Sequence, residues 1–309
     1  MKCLVTNVRS CWGRWMNNRF EEFEDFEAWS TSAGRSDPRE VVESYSAFKN
    51  YISEHSKDRS LEKFLGVGQE RTEILQFMFN AFVSGNLPQL FRKREDANEV
   101  LGAAWSSKVF SEAYKILSLQ NVPQFEGLDR EYLAHIARES VEPRNVIYLP
   151  EKLREVGVIL VHERVPERAK IDGMVALLGT GHPVVGIGFR YPRLDFYWFT
   201  LLHELSHIVL HLDRLASPIL DDFEAGDRVS AVEAQANRLA KNSVVPRHLW
   251  RNSSVHYNGG RETIIEFSKQ IGVHPALVAG LLQRELNRYD RYRSIVDAVD
   301  LREVVFTGG

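Results

Sequence analysis

The chain has 309 residues, with 39 Lys plus Arg against 42 Asp plus Glu and a formal net charge of −3. At 44% hydrophobic and 26% charged residues, it has the composition of a chain that folds around a sizeable core, which excludes global disorder. The near balance of charge gives no reason to expect a broad grip on DNA, and Cys3 and Cys11 are too few for a disulfide framework or a thiolate zinc site.

Residues 1 to about 36 are aromatic and acidic, and Phe20, Phe23 and Phe26 are spaced to share one face of a short helix. Charged and polar residues break every apolar run at the N-terminus, so no secretory signal is expected. No stretch is long and apolar enough for a membrane span, and the expected location is the cytoplasm. Asp37-Pro38 predicts a helix start, with proline in the first turn. From there the signals stay helical, with Ile74, Met78 and Phe82 recurring every fourth residue and turn-prone breaks at 66–68, 84–88 and 121–129. The expectation is a helical N-terminal region over 1–142, of four to six helices, serving regulation or the recognition of a partner or substrate.

The character changes near residue 143. Residues 156–165 form a β-branched run, and 173–178 and 184–189 are two extended runs joined by a Gly-rich turn, which predicts a hairpin. FYWFTLLHELSHIVLHL then predicts a helix of about 17 residues with Asp195 as its cap. Further helices are expected over 231–243, 261–271 and 275–288. Strands followed by helices predict an α+β domain over 143–290, with 291–309 as a C-terminal tail.

Within the long helix, His203-Glu204-Leu205-Ser206-His207 reads H-E-x-x-H. Residues four apart stack on one helical face, so both imidazoles can share one tetrahedral metal ion. Glu204, on the adjoining side, is placed to act as a general base on a water at that metal. The helix is otherwise apolar nearly all round, while Thr200, His203, Glu204, His207 and His211 fall mostly on one stripe. Buried groups of this kind need partners, supplied either by a divalent cation or by hydrogen bonds among the histidines and backbone carbonyls of a satisfied core. Glu233 on the following helix is a candidate third ligand; Ser230-x-x-Glu233 is equally a capping box. Asp221, Asp222, Glu224 and Asp227 lie between the two helices and are further acidic candidates.

FYWFTLLHELSHIVLH followed by EAQANRLAKNSVVP resembles the ImmA/IrrE family of zinc metallopeptidases. KIDGMVALLGTGHPVVGIGFRYPRLDFYWF resembles the hairpin before the active helix of that family, and IGVHPALVAGLLQRE its closing segment, so the resemblance covers about residues 145–288. It implies a zincin-like fold, with His203, His207 and Glu233 binding Zn2+ and Glu204 as the catalytic base. It also implies that Asn237 and His211 support the ligands from behind. The expected activity is cleavage of a regulatory protein partner, a helix-turn-helix repressor or an antitoxin-like protein, in a stress, mobile-element or defence circuit. The contrasting expectation is a non-cutting binding module whose zinc domain is structural or senses a ligand.

Many members of that family carry an N-terminal helix-turn-helix, for which this chain offers no convincing match. LEKFLGVGQERTEILQFMFNAF has only the rhythm of a helical hairpin, and the basic cluster stops at Arg92-Lys93-Arg94. The segment 264–285 has helix-turn-helix spacing about Gly272, but apolar residues stand where base-reading ones should, so direct DNA binding is not expected. The strand VVGIGF is expected to offer an edge to an extended substrate. His182, His256, Tyr257 and His274 are candidate oxyanion donors, and Cys3 and Cys11 are either incidental or a thiolate latch on the metal.

Overall fold

A computed structural model describes residues 38–55, 59–83, 99–215, 219–221 and 231–306. Phe20, Phe23, Phe26, Cys3, Cys11, Arg92-Lys93-Arg94, Asp222, Glu224, Asp227 and Ser230 lie outside the described residues, and so do the expectations attached to them. Packing divides the chain into two units, 1–51 and 52–309. The described part of the first unit belongs to α1 (Pro38–His55), which starts at Pro38, where a missing N–H breaks no helical bond.

The second unit is mixed α and β, and mostly helical. It contains α2 (Arg59–Leu65), α3 (Gln69–Val83), α4 (Glu99–Leu119), α5 (Arg130–Arg138) and α6 (Leu149–Arg154), then β1 (Ile159–Glu163), β2 (Gly173–Leu177) and β3 (Pro183–Gly188). After these come α7 (Leu194–His211), β4 (Ile219–Asp221), α8 (Ala231–Val244), α9 (Arg247–Arg251), α10 (Arg261–Ile271), α11 (Pro275–Leu286), α12 (Arg293–Val296) and α13 (Leu301–Phe306). Among the described residues no helix is long and apolar enough to cross a membrane.

The sheet runs in the order β1-β3-β2-β4. β2 and β3 form the expected antiparallel hairpin, and β1 joins β3 in parallel. β3 is therefore an interior strand, and the expectation that VVGIGF offers an edge is wrong: both its sides are already paired. Its near-continuous burial is what a strand covered on both faces shows. Alternation places Leu160, Val175, Val185 and Ile187 on the face that packs against α7. Ile159, Met174 and Val184 take the other face, where Val109 of α4 lies against β3 at Gly186 and the Trp105 indole donates to the Glu163 carbonyl at 3.4 Å.

α7 is buried almost all round, with Trp198, Leu201, Leu202 and Leu205 fully inside. Each such side chain contributes about 1.5–3 kcal/mol by leaving water. The packing of α7 does not respect a line at 142, because Leu133, Ile136 and Ala137 of α5 belong to the same core. Nor is the last stretch a plain tail: Ile295, Val296 and Leu301 are buried in that core as well. Gly272, at φ 71°, ends α10 in the left-handed region, and the His274 side chain accepts from Ala276 N at 3.1 Å to start α11 at Pro275. Leu277, Val278, Leu281 and Leu282 of α11 are buried in the core, the packing role that their apolar character suggests.

The cap expected at Asp195 is a correction. The helix starts two residues earlier, at Leu194, with Arg193 in the capping position and no side-chain cap bond. Asp195 sits in the first turn, buried, and accepts from Arg193 Nε at 2.9 Å and Nη2 at 2.7 Å. Burial pushes its carboxyl up, against the pull of the guanidinium.

Candidate metal centre

α7 carries the H-E-x-x-H segment at its centre, where helical spacing turns His203 and His207 to one side. α8 packs against that side and brings Glu233, from its first turn, to the two rings. His203 Nε2 lies 3.0 Å from His207 Nε2 and 3.2 Å from Glu233 Oε2, and His207 Nε2 lies 3.4 Å from the same oxygen. Tetrahedral ligands about 2.0–2.1 Å from a zinc ion stand about 3.3 Å from one another, so this triangle has the size of one tetrahedral face. The donor set, two imidazole nitrogens and one carboxylate oxygen, fits zinc. Among the described residues, these three are the one group of His, Cys, Asp or Glu whose ligand atoms all lie within 4.8 Å of one another.

Three lone-pair atoms this close repel unless positive charge sits among them, either a proton on a ring nitrogen or a cation held by all three. Burial works against a charged Glu233; where a ring proton supplies the positive charge, hydrogen bonds from His203 and His207 outweigh burial and hold the carboxyl well below the ordinary carboxylate range, and a cation in the triangle takes the place of that proton. The rings themselves are inaccessible, His203 being 1% and His207 0% exposed, whereas the Glu233 side chain keeps 15% of its surface.

Each ring is held from behind. His203 Nδ1 lies 3.1 Å from Asn237 Oδ1, one turn after Glu233 on α8. An amide oxygen accepts only, so the His203 proton resides on Nδ1 and its Nε2 lone pair faces the triangle. His207 Nδ1 lies 3.2 Å from His211 Nδ1, and His211 Nε2 lies 2.9 Å from Gln235 Oε1. Asn237 and His211 thus both stand beside the ligands; Gln235 gave no signal in the sequence beyond lying between Glu233 and Asn237 on the same helix.

Glu204 is buried and turned toward the sheet. A Cβ on Gly173, the first residue of β2, would stand 2.4 Å from Glu204 Oε1 and 2.7 Å from Thr200 Cγ2. Gly173 is absent from the residues singled out by sequence, yet only a side chain of hydrogen leaves room for the carboxylate there. Such a contact joins positions far apart in the chain and leaves no local pattern.

The other candidates fall elsewhere. His182 sits in the β2–β3 turn, its ring nitrogens 3.0 Å from Thr180 Oγ1 and 3.2 Å from the Pro123 carbonyl. His256 Nε2 donates to the Trp250 carbonyl at 2.9 Å, His274 caps α11, and Tyr257 is 88% exposed. None of these four joins the group of three. Asp221 ends β4, opposite Gly173.

No known family model matches the chain, and a comparison with curated proteins returns no match.

Proposed function

We propose that the chain is a zinc-dependent endopeptidase of zincin-like fold that cuts a regulatory protein partner, a small helix-turn-helix repressor or antitoxin-like protein, in the cytoplasm. The observation that carries this reading is the triangle of His203 Nε2, His207 Nε2 and Glu233 Oε2, with edges of 3.0, 3.2 and 3.4 Å, beside a buried Glu204. Three protein ligands with one position left over are the pattern of a catalytic zinc site, whereas structural sites close with four.

When bound, the ion would polarise the scissile carbonyl and make water acidic enough to lose a proton near neutral pH. Glu204 takes that proton on a carboxylate oxygen and passes it to the leaving amine. Asn237 keeps the His203 proton on Nδ1, so that Nε2 remains a ligand. Gly173 keeps the wall beside Glu204 clear. The choice of a protein substrate and of a regulatory partner rests on the resemblance of residues 145–288 to the ImmA/IrrE family.

The test is incubation of the full chain, loaded with Zn2+, with small DNA-binding proteins encoded by neighbouring genes. Cleavage by the wild type and none by Glu204→Gln, with zinc still bound, is the expected result. Retention of zinc with the partner bound and intact in both would favour the binding module instead.

A further inference from the structure

The two imidazoles that face Glu233 are backed in different ways. His203 meets an amide oxygen directly, through Asn237. His207 meets a second histidine, and that histidine meets the amide oxygen of Gln235. Two Nδ1 atoms 3.2 Å apart can share only one proton, so one ring donates and the other accepts. Gln235 Oε1 decides which. It can only accept, and therefore places the His211 proton on Nε2, leaving a lone pair at His211 Nδ1. His207 then donates from Nδ1, and its Nε2 lone pair is turned to the triangle.

We infer that Gln235, acting through His211, is a positioning residue that fixes His207 in the tautomer able to bind the metal. The inference rests on the metal-site reading above. With a proton on His211 Nδ1 instead, two N–H groups would face each other, and His207 would have to move its own proton to Nε2, where it blocks coordination. His211 is only 4% exposed, so water does not readily take over as the acceptor for His207. One helix, α8, thus supplies a ligand from Glu233, the direct acceptor for His203 from Asn237 and the remote acceptor for His207 from Gln235. Seating α8 on α7 prepares all three donor atoms together.

The test uses the full chain, Zn2+ alone as the ligand, and competition with a chromophoric chelator to read affinity. His211→Leu should weaken zinc binding by about 10–100-fold. His211→Asn should restore most of it, because its Oδ1 occupies the place of the histidine Nδ1 and accepts the same proton. Gln235→Leu should fall at the lower end of that range, about tenfold, and Gln235→Glu should match the wild type. Long-range 1H–15N correlation spectra of the wild type should show His207 protonated on Nδ1 and His211 on Nε2, a signature that a merely structural role would not set. Full zinc affinity in both leucine variants, or a wild-type His211 protonated on Nδ1, would overturn the inference while leaving the metal site standing. A wild type that binds no zinc would overturn both. The wild-type spectrum decides the matter even if a variant fails to fold.

Discussion

His162 gives a stability test that needs no substrate. It lies in β1, its ring edge-on to Phe189 and Tyr197 at centroid distances of 5.4 and 5.5 Å, and its Nε2 is 2.8 Å from the Tyr197 hydroxyl. Burial lowers its pKa from the ordinary 6.5 to about 4. Between those values the unfolded chain binds a proton that the folded chain refuses. Stability from this site is therefore complete above about pH 6.5 and is lost as the pH falls toward about 4. The difference corresponds to about 3 kcal/mol. His162→Phe keeps an aromatic ring in place but strips the buried Tyr197 hydroxyl of this partner, which costs about 1–3 kcal/mol near neutral pH. The variant has no imidazole to protonate, so the stability difference between the two proteins should shift by about 3 kcal/mol toward the variant from neutral pH to about pH 4, closing the gap or reversing its sign. Urea unfolding of chelator-treated protein, followed by tryptophan fluorescence at several pH values, measures this gap, and groups common to both proteins cancel. A gap that stays constant across that range would refute the account of His162.

Gly173→Ala drives a Cβ to 2.4 Å from Glu204 Oε1 and 2.7 Å from Thr200 Cγ2. The carboxylate is the more mobile neighbour, so its displacement by about an ångström should slow cleavage about 100-fold, with about 1–3 kcal/mol of strain. Zinc affinity should be unchanged; a parallel loss of zinc would contradict the separation of Glu204 from the ligands. Arg193→Met takes away the guanidinium that hydrogen-bonds the buried Asp195 carboxylate and leaves it only the field of Arg284, so the fold should lose about 1–3 kcal/mol in urea unfolding. An unchanged midpoint would mean that the pair contributes nothing to seating α7.

The parts of the fold legible in the sequence are those with a local period. The H-E-x-x-H helix, the hairpin of β2 and β3 and the start of α11 at Pro275 all follow from spacing and turn chemistry. Spacing alone leaves Glu233 open, since its place three residues after Ser230 fits a capping box as well as a ligand, and only its packing against α7 brings it to the two imidazoles. The misreadings come from long-range pairing. β1 enters beside β3, so VVGIGF is interior; its unbroken apolar run was a signal for a strand covered on both faces. Asp195 had the type and place of a cap, but a guanidinium two residues away captured it. Gly173 and Gln235 act on residues distant in the chain, through one missing Cβ and one amide oxygen, and neither leaves a periodic trace. His162 was visible as a lone histidine in a β-branched run, but its partner Tyr197 comes from another element.

The central claim is that three side chains from two helices hold one ion and leave a coordination position free. Zinc content after equilibrium dialysis tests it most directly, on the wild type, Glu204→Gln and Glu233→Ala, with circular dichroism to establish that each is folded. The account predicts one zinc per chain in the wild type and in Glu204→Gln, and loss of zinc from folded Glu233→Ala. A wild type that retains no zinc, or a Glu233→Ala that holds it as tightly as the wild type, would contradict it.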